Sequence, residues 1–430
     1  MINTIKNTLN KIGVFMSENN MWFSLGKYLI ISLLLATLAI MIDTKYIPVL
    51  KYIPEIFLAS IGLAKLILGT LTGSLLTITT FTFSTIMVVI SMYSSNFSPR
   101  VVNNFLTDKI TMKVLGVFVG GFFYCITVLF FMKDNFSSYK VISATIAVLY
   151  SILCIIYFLI FVYNVSSSIQ PTKLISNLYD ESWDIIDKTL EERKNHTSLD
   201  QYDIGEYLSE VEILSNKSGY LVLIEFSEIL KTLKNIKTNF VIKVEIGDFI
   251  VKNQAIATLY YNDDIGDSSL VQEITDKFSI EEERVAFSDY RYSLQKIIDI
   301  TLRALSPGIN DPNTAIHCIN ILGVILGNIS VIKGKYTMIE DDNSLSKIIH
   351  ADFNFRKDLY YSFYQIVHYG KSDISVILAI LNALKTINHS ATEEKEVAIK
   401  EFADYVYQNS IDNFTHEFDR DMLEHGLEPI

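Results

Sequence analysis

Cysteine is scarce in this sequence of 430 residues, with three copies at positions 125, 154 and 318. None belongs to a CxxC pair, so the sequence indicates neither a disulfide framework nor a thiolate metal site. The seven histidines are scattered and form no HExxH motif, which leaves no spacing typical of a metal centre. We therefore expect no cofactor and no bound metal.

The motifs of several enzyme classes are also missing. The chain has no GxSxG turn, no glycine-rich phosphate loop and no set of kinase residues. Two acidic clusters, Glu281–Glu283 and Glu393–Glu396, fall where helices are expected to begin, and the helix dipole explains negative charge there. Nothing in the sequence indicates catalysis, so we expect that the protein is not an enzyme.

Long stretches of the N-terminal part are almost without charge. Four apolar runs, near residues 21–42, 60–92, 112–132 and 141–165, are long enough for spanning helices, which need about 20 apolar residues each. The first 20 residues are polar and lack a small-residue cleavage site, so we expect the first span to be retained. The pattern predicts an α-helical membrane domain with four transmembrane helices.

Charge divides the chain into two parts. Residues 1–170 carry a net charge of +6, which leaves −18 for the remainder of a chain whose total is −12. An acidic second part is unsuited to nucleic acid or anionic lipid and is expected to be soluble. Lys and Arg near the span ends place both termini in the cytoplasm. We expect a multi-pass protein of the cell (inner, cytoplasmic) membrane whose partner is the lipid bilayer.

The soluble part is predicted to be mixed α/β. Phe240–Ile246 alternates apolar and polar residues, as a half-buried strand does, and Gly247-Asp248 is a turn pair. Residues 218–261 resemble the barrel-sandwich hybrid modules of the biotinyl and lipoyl type. An exposed Met-Lys-Met hairpin is missing, so we expect a structural module without an attached cofactor.

Helices are expected on both sides of this β module, at 172–194, 279–305, 312–329, 355–370, 373–389 and 392–423. Ser279, Asp373 and Ser390 are candidate N-caps. The expected domains are a transmembrane domain (1–170), a helical linker (171–217), a small barrel-sandwich-like β module (218–262) and a helical cytoplasmic domain (263–430) that ends in a bundle.

Hydroxyl side chains recur along the second apolar run. The candidate pore-lining residues are Thr70, Ser74, Thr77, Ser84, Ser91 and Ser95. Their spacing places them near one stripe of an α-helix, and a helix in lipid gains from such a stripe only where it meets another helix or water. Two interpretations stay open: helix packing, aided by Gly69-x-x-x-Gly73 and Gly116-x-x-x-Gly120, and the lining of an ion path in an oligomer.

Carboxylates are absent from the middle of spans two, three and four. Proton relays and cation-coupled carriers usually depend on ionisable groups inside the membrane. The absence argues against such carriers and favours a passive channel or no transport at all.

Two short motifs stand out from the rest of the chain. Phe97-Ser98-Pro99-Arg100 has a structural interpretation as a helix stop with Arg100 among the lipid headgroups. In the functional interpretation, Ser98 and Arg100 form a cytoplasmic pore mouth, or Arg100 pairs with an acidic group of the soluble part.

The second motif is Arg303-Ala-Leu-Ser-Pro-Gly-Ile-Asn-Asp-Pro312. In the structural interpretation Pro307 ends one helix, Gly308 permits a positive φ, and Asp311 with Pro312 starts the next helix. In the functional interpretation free backbone N–H groups form a small binding nest. The candidate residues are Arg303, Ser306, Gly308, Asn310 and Asp311. Strain at Gly308 would make Gly308→Val destabilising.

These motifs also carry a resemblance. The chain closely resembles a widespread family of predicted bacterial inner-membrane proteins of unknown function. The resemblance rests on the order of these segments: GSLLTITTFTFSTIMVVISMYSSNFSPR, then SGY and GDFIVKNQ, then IIDITLRALSPGINDPNTAIHCIN. Asn313 stands where that family usually has an aromatic residue, so no aromatic contact is carried over to this position. The resemblance supports the architecture and implies no activity.

The leading hypothesis is a homo-oligomeric, channel-like membrane protein that passes a small ion, with span two facing a central axis and the cytoplasmic domain gating or assembling it. The alternative is a membrane-anchored scaffold or ligand sensor that has no transport activity.

Overall fold

The computed structural model describes residues 25–96, 100, 109–132, 140–168, 170–262, 268–286, 288–341, 344–351 and 353–428. Backbone contacts separate these residues into two compact units, and the division falls after Lys173. We call residues up to Lys173 the membrane unit and the residues from Leu174 onward the soluble unit.

Four long apolar helices make up the membrane unit: α1 (Leu25–Asp43), α2 (Ile61–Asn96), α3 (Lys109–Phe131) and α4 (Ser143–Ser168). A short antiparallel pair, β1 (Ala59–Ser60) with β2 (Lys140–Val141), ties the start of α2 to the start of α4. The carboxylate of Asp43 accepts a hydrogen bond of 2.8 Å from the backbone N–H of Ile142, beside the same pair. The four apolar runs of the sequence are therefore helices, as expected.

Helix α3 occupies the centre of the membrane unit, and its glycines allow close packing. A Cβ at Gly116 would lie 2.7 Å from the ring of Tyr28, and one at Gly120 would collide with the hydroxyl of Ser32. That hydroxyl is 2.9 Å from the hydroxyl of Tyr150, which donates to the backbone oxygen of Val117. The close contact expected at Gly116-x-x-x-Gly120 is confirmed.

The soluble unit begins with α5 (Pro171–Arg193) and then forms two sheets. The strands are β3 (Thr197–Leu199), β4 (Ser209–Leu214), β5 (Gly219–Ile224), β6 (Thr238–Ile242), β7 (Phe249–Ile250), β8 (Ala255–Tyr261), β9 (Phe278–Glu281), β10 (Tyr336–Glu340) and β11 (Lys347–Ala351). The larger sheet has six strands in the order β3-β10-β11-β6-β8-β4, and the smaller, antiparallel sheet has three strands in the order β7-β5-β9. All pairs in the larger sheet are antiparallel except β11 with β6.

Several local expectations were wrong in this region. Residues 226–232 form a short helix, α6 (Phe226–Thr232), inside the stretch expected to be all strand. Ser279 is not a helix cap, because Phe278–Glu281 pairs with β5 and the next long helix starts only at Tyr290. Strands β10 and β11 lie within a region expected to be helical. Short strands of four or five residues are decided by their sheet partners rather than by local pattern.

Helices form the rest of the soluble unit: α7 (Ser268–Thr275), α8 (Tyr290–Ala304), α9 (Pro312–Ser330), α10 (Phe355–Gly370), α11 (Ile374–Ser390), α12 (Glu393–Ser410) and α13 (Glu417–Leu427). Asp311 caps α9 and Asp373 caps α11, as the sequence predicts. Ser390 instead ends α11, and the expected helix 392–423 is divided after Ser410.

Five described helices, rather than the expected four, are long and apolar enough to cross a membrane: α1 to α4 and α9. The additional helix, α9, crosses α11 so closely that a Cβ at Gly323 would lie 2.9 Å from the Cβ of Ala383. Ten of its residues are buried, among them Ile319, Leu322 and Leu326. A helix that is surrounded by protein has the same apolar composition as one surrounded by lipid, so composition alone does not separate the two.

We predict that Gly120→Val destabilises the membrane unit by about 1–3 kcal/mol, because a larger side chain in a closely packed helix contact forces the helices apart. Gly62→Val in α2 is the matched control, since a Cβ there has no neighbour within 4 Å. Thermal unfolding of the purified chain in detergent measures both variants. Equal melting temperatures for the two would contradict the close packing of α1 and α3.

Candidate functional site

The hydroxyl stripe of α2 faces outward from the single chain. Thr70, Ser74, Thr77, Ser84 and Ser91 are all exposed, while the opposite face of the helix is buried against the membrane unit. That buried face includes Ala64, Leu68, Leu75, Ile86 and Val89. The stripe also contains large apolar side chains, since Phe81 and Val88 share its face and are exposed.

Many of the hydroxyls bond to their own helix. Thr70 donates to the backbone oxygen of Leu66 at 2.8 Å, and Ser74 and Thr77 donate to the oxygens four residues earlier at 3.0 Å. Such bonds satisfy a hydroxyl proton inside lipid. The stripe therefore does not by itself require water.

Gly69 and Gly73 lie on the same outward side. A Cβ at either position would have no neighbour within 4 Å, so this glycine pair makes no close helix contact among the described residues. The contact expected from Gly69-x-x-x-Gly73 is therefore not made by any helix that the structure describes. Of the remaining candidates, Ser98 and the side chain of Ser95 lie outside the described residues, and Arg100 is exposed.

The second motif is an exposed loop between α8 and α9. Asp311 accepts a hydrogen bond of 3.1 Å from the backbone N–H of Thr314, and the hydrogen bonds from Thr314 lower the pKa of the Asp311 carboxyl. The positive φ expected at Gly308 is instead found at Asn310, where φ is 51°. A Cβ at Gly308 would have no neighbour within 4 Å. The expected strain at Gly308 was therefore wrong.

Backbone N–H groups of this loop are used internally. Those of Ile309 and Asn310 donate to the oxygen of Ser306, and that of Asp311 donates to the oxygen of Ala304 at 2.9 Å. The hydroxyl of Ser306 donates to the oxygen of Arg303 at 2.7 Å. These bonds give the loop a fixed shape, and they remove three of the donors that a binding nest would need.

A buried ionic network lies elsewhere in the soluble unit and was not identified from the sequence. The guanidinium of Arg291 in α8 contacts the carboxylate of Asp358 in α10 at 2.6 Å and also the carboxylate of Glu245, which follows β6. The hydroxyl of Tyr290 donates to the other oxygen of Asp358 at 2.6 Å. Lys357 lies 3.4 Å from Glu245. One guanidinium thus joins the sheet region to two helices.

Burial changes the pKa values of the ionisable groups in this network. Desolvation raises the pKa of Asp358, and the neighbouring Arg291 opposes that shift. Burial also raises the pKa of Tyr290 well above its ordinary value, with a further contribution from the Asp358 charge. Desolvation opposes the charge of Arg291, but attraction to Tyr290, Asp358 and Glu245 outweighs it and raises the pKa of the guanidinium. Arg291 therefore stays charged and needs both carboxylates.

The Gly247-Asp248 turn lies against a second buried ion pair. Arg284 and Asp289 are 2.6 Å apart, and a Cβ at Gly247 would collide with Asp289 and approach Arg284 to 2.6 Å. Gly247 has a φ of 93°, and the carboxylate of Asp248 accepts from the N–H of Glu245 at 2.8 Å. The turn expected from the sequence is confirmed, and its glycine is required by both conformation and space.

A cavity of about 700 Å³ opens beside this network, within the soluble unit. Its walls come from the end of α5, the β5–α6 connection, the start of α8, and strands β10 and β11. Arg291, Glu245 and Asp289 line it, together with Glu225 and Arg193. Among the described residues, no group of His, Cys, Asp or Glu has the arrangement of a metal site.

One sequence signal could have identified the network. Asp358 falls in the register of the buried face of α10, with Phe355, Ser362 and Ile366. A carboxylate at an apolar position of a helical pattern needs a buried partner. That partner, Arg291, lies 67 residues away, and no local pattern identifies it.

We predict that Arg291→Met lowers the free energy of unfolding of the soluble unit by about 3–5 kcal/mol, because it leaves the buried carboxylate of Asp358 without its cation and Glu245 with Lys357 alone. Arg356→Met is the control: Arg356 pairs with Glu401 at the surface, where its side chain is 71% exposed. Urea unfolding, followed by Trp183 fluorescence in a Trp22→Phe background, measures both. A loss no larger than that of the control would contradict the role of Arg291.

A second prediction concerns the loop between α8 and α9. Asn310→Val should lower stability by about 1–2 kcal/mol, since a β-branched residue tolerates a left-handed conformation poorly. Gly308→Val should change it by less than about 0.5 kcal/mol, as for most exposed positions. The same urea experiment compares the two variants. A larger loss of stability for Gly308→Val than for Asn310→Val would show that Gly308 is the strained residue.

The chain is similar to proteins of mycobacteria that are described as uncharacterized. It is 22% identical over 373 residues to an uncharacterized protein of Mycobacterium tuberculosis (strain H37Rv), covering 84% of this chain and 71% of the relative. An uncharacterized protein of Mycobacterium bovis matches with the same identity and coverage. No solved structure matches the chain at a significant level.

Residues 18–386 match the family described as "Predicted membrane protein (DUF2254)". The matched residues include the second span and the loop motif, on which the resemblance to an inner-membrane family rests. The chain therefore belongs to the DUF2254 family of predicted membrane proteins.

Proposed function

We propose that this protein is a homo-oligomeric, channel-like protein of the bacterial inner membrane, in which copies of α2 surround a central axis and pass a small ion. Helices α1 to α4 span the bilayer, and α9 is a core helix of the soluble unit. The positive charges around the spans favour a cytoplasmic position for both termini and, with them, for the soluble unit.

The outward face of α2 carries this proposal. It presents hydroxyls at Thr70, Ser74, Thr77, Ser84 and Ser91, and it is not covered by any described helix of the same chain. The open space at Gly69 and Gly73 suits the close approach of a helix from a second copy. The hydroxyls of Thr70, Ser74 and Thr77 also keep acceptor capacity after donating to their own helix, so the face can solvate an ion or a file of water molecules.

The same face contains the elements of a gate. Phe81 lies between the hydroxyls of Thr77 and Ser84, and Val88 lies between those of Ser84 and Ser91. In a ring of copies these side chains form apolar constrictions, which close a pore by excluding water. Helices α2, α3 and α4 contain no Asp or Glu, so the path is passive rather than proton-coupled.

The second candidate function is a membrane-anchored ligand sensor or scaffold without transport. The cavity of about 700 Å³ in the soluble unit favours it, because ligand sites commonly have such a volume. Neither function includes a catalytic step.

We predict that liposomes containing the protein show ion flux above empty vesicles, and that Ser74→Leu with Thr77→Leu lowers it at least about tenfold by removing polar groups from the path. Phe81→Ser should raise the flux, because it removes an apolar constriction. Stopped-flow fluorescence with K⁺-loaded and Na⁺-loaded vesicles measures both changes.

Thr37→Leu is the matched control. Thr37 is an exposed hydroxyl of α1 that also donates to the oxygen four residues earlier, at 2.8 Å, but it does not belong to the stripe. Flux at the level of empty vesicles for both the unmodified chain and Phe81→Ser would refute the channel. A monomeric mass in detergent and in lipid nanodiscs would refute the oligomer.

A further inference from the structure

The loop between α1 and α2, residues 44–58, has few charges for a segment at the surface of the chain. Three of its 15 residues are charged. It contains two short 3-10 turns, Leu50–Tyr52 and Glu55–Phe57, and two prolines, which keep it from extending either helix. The large apolar side chains that it exposes are Tyr46, Val49, Tyr52, Ile56 and Phe57. An exposed apolar set of this size indicates an interaction surface.

The first part of this loop is apolar on two sides. Tyr46, Val49 and Tyr52 follow each other at intervals of three residues and are exposed. The half-buried residues, each one position later, are Ile47, Leu50 and Ile53. An interval of three matches the three residues per turn of 3-10 geometry, so each set shares one side of the chain. One apolar side is thus half-buried within the membrane unit, and the other is left for an apolar environment outside the described residues.

The backbone of the loop makes many of its own hydrogen bonds. Four N–H groups donate to oxygens three residues earlier, at distances between 2.9 and 3.4 Å: those of Tyr52, Ile53, Phe57 and Leu58. The N–H of Ile47 donates to the oxygen of Met41 in α1 at 3.1 Å. A backbone that is bonded internally loses little when it leaves bulk water, so this loop suits the boundary of a bilayer.

Three of the apolar helices begin or end beside this loop. Helix α1 ends at Asp43, whose carboxylate accepts from the N–H of Ile142, just before α4. Strand β1 at the start of α2 pairs with β2 at the start of α4. The hydroxyl of Thr145 in α4 donates to the backbone oxygen of Phe57 at 2.7 Å. Because spanning helices end at the membrane surface, the proposed spans place this loop at one face of the bilayer.

We propose that the exposed side of the α1–α2 loop is a lipid-binding surface that lies at the boundary between headgroups and acyl chains. Tyr46 and Tyr52 supply apolar rings for the acyl chains and hydroxyls for the headgroups, as Tyr does in the aromatic belts of membrane proteins. Lipid is favoured over a second copy of the chain, because the ends of three spans fix the loop at this depth in every oligomeric state. The inference rests on the proposed spans and not on conduction.

Tryptophan fluorescence in vesicles tests this surface. Tyr52→Trp, in a Trp22→Phe and Trp183→Phe background, is reconstituted in phosphatidylcholine whose acyl chains are brominated either near the headgroup or near the methyl end. Bromine quenches tryptophan on contact. We expect quenching by the lipid brominated near the headgroup to be at least about twofold stronger, because an interfacial segment enters the bilayer by roughly 5–10 Å. Tyr46→Trp should give the same order.

Two control positions separate this inference from the proposed spans. Leu34→Trp lies within α1 at a residue that is 64% exposed, and bromine near the methyl end should quench it more strongly. Leu208→Trp lies in the soluble unit at a residue that is 87% exposed, close to the 86% of Tyr52, and neither lipid should quench it.

Quenching at position 34 without quenching at position 52 overturns the lipid-binding loop and leaves α1 as a span. A blue-shifted but unquenched emission at position 52 assigns the loop to a second copy of the chain, which also overturns the proposal. Absence of quenching at position 34 refutes the spans themselves. If the tryptophan-free background does not fold, a nitrobenzoxadiazole label on Tyr52→Cys with nitroxide-labelled lipids decides in the same way, since the three native cysteines are buried.

Discussion

The buried guanidinium of Arg291 is the constraint on which the soluble unit depends. It joins Glu245, which follows β6, to Asp358 in α10, and it does so from the first turn of α8. A buried charge is tolerated only where its partners are fixed in place. The neighbouring turn is fixed by a second pair, Arg284 with Asp289, which leaves room only for a glycine at position 247. The β sheets and the helical bundle are therefore joined by charges rather than by apolar packing alone.

The cavity lies beside that network and shares residues with it, including Tyr290, Arg291 and Glu245. A ligand that changes the local charge acts on the same groups that hold α8 and α10 to the sheet region. This arrangement gives the soluble unit a physical route from ligand binding to helix position. It connects the two candidate functions, since a ligand-sensing soluble unit and a gated membrane path are compatible in one protein.

Helix packing in the membrane unit depends on small residues instead, because lipid provides no hydrophobic force between helices. Small residues decide which helices approach: the glycines of α3 are in contact with α1 and α4, whereas Gly69 and Gly73 of α2 remain open. Within the stripe of α2, the hydroxyls of Thr70, Ser74 and Thr77 are satisfied by their own helix, so their outward position is stable in a single copy. The channel function therefore depends on whether copies of the protein associate through this open face.

The sequence by itself determined the features that depend on local chemistry. It predicted the four apolar helices, the Gly247-Asp248 turn, the Asp311 and Asp373 caps, and most helix bounds in the soluble unit, because composition, capping and helical period act over a few residues. The positive φ at Asn310 was missed because asparagine, like glycine, tolerates that conformation. Only the tertiary structure decided the strands β9, β10 and β11, the burial of α9 within protein, and the network around Arg291. Each of these depends on a partner distant in sequence, and the free energy of such a contact is not encoded in either segment alone.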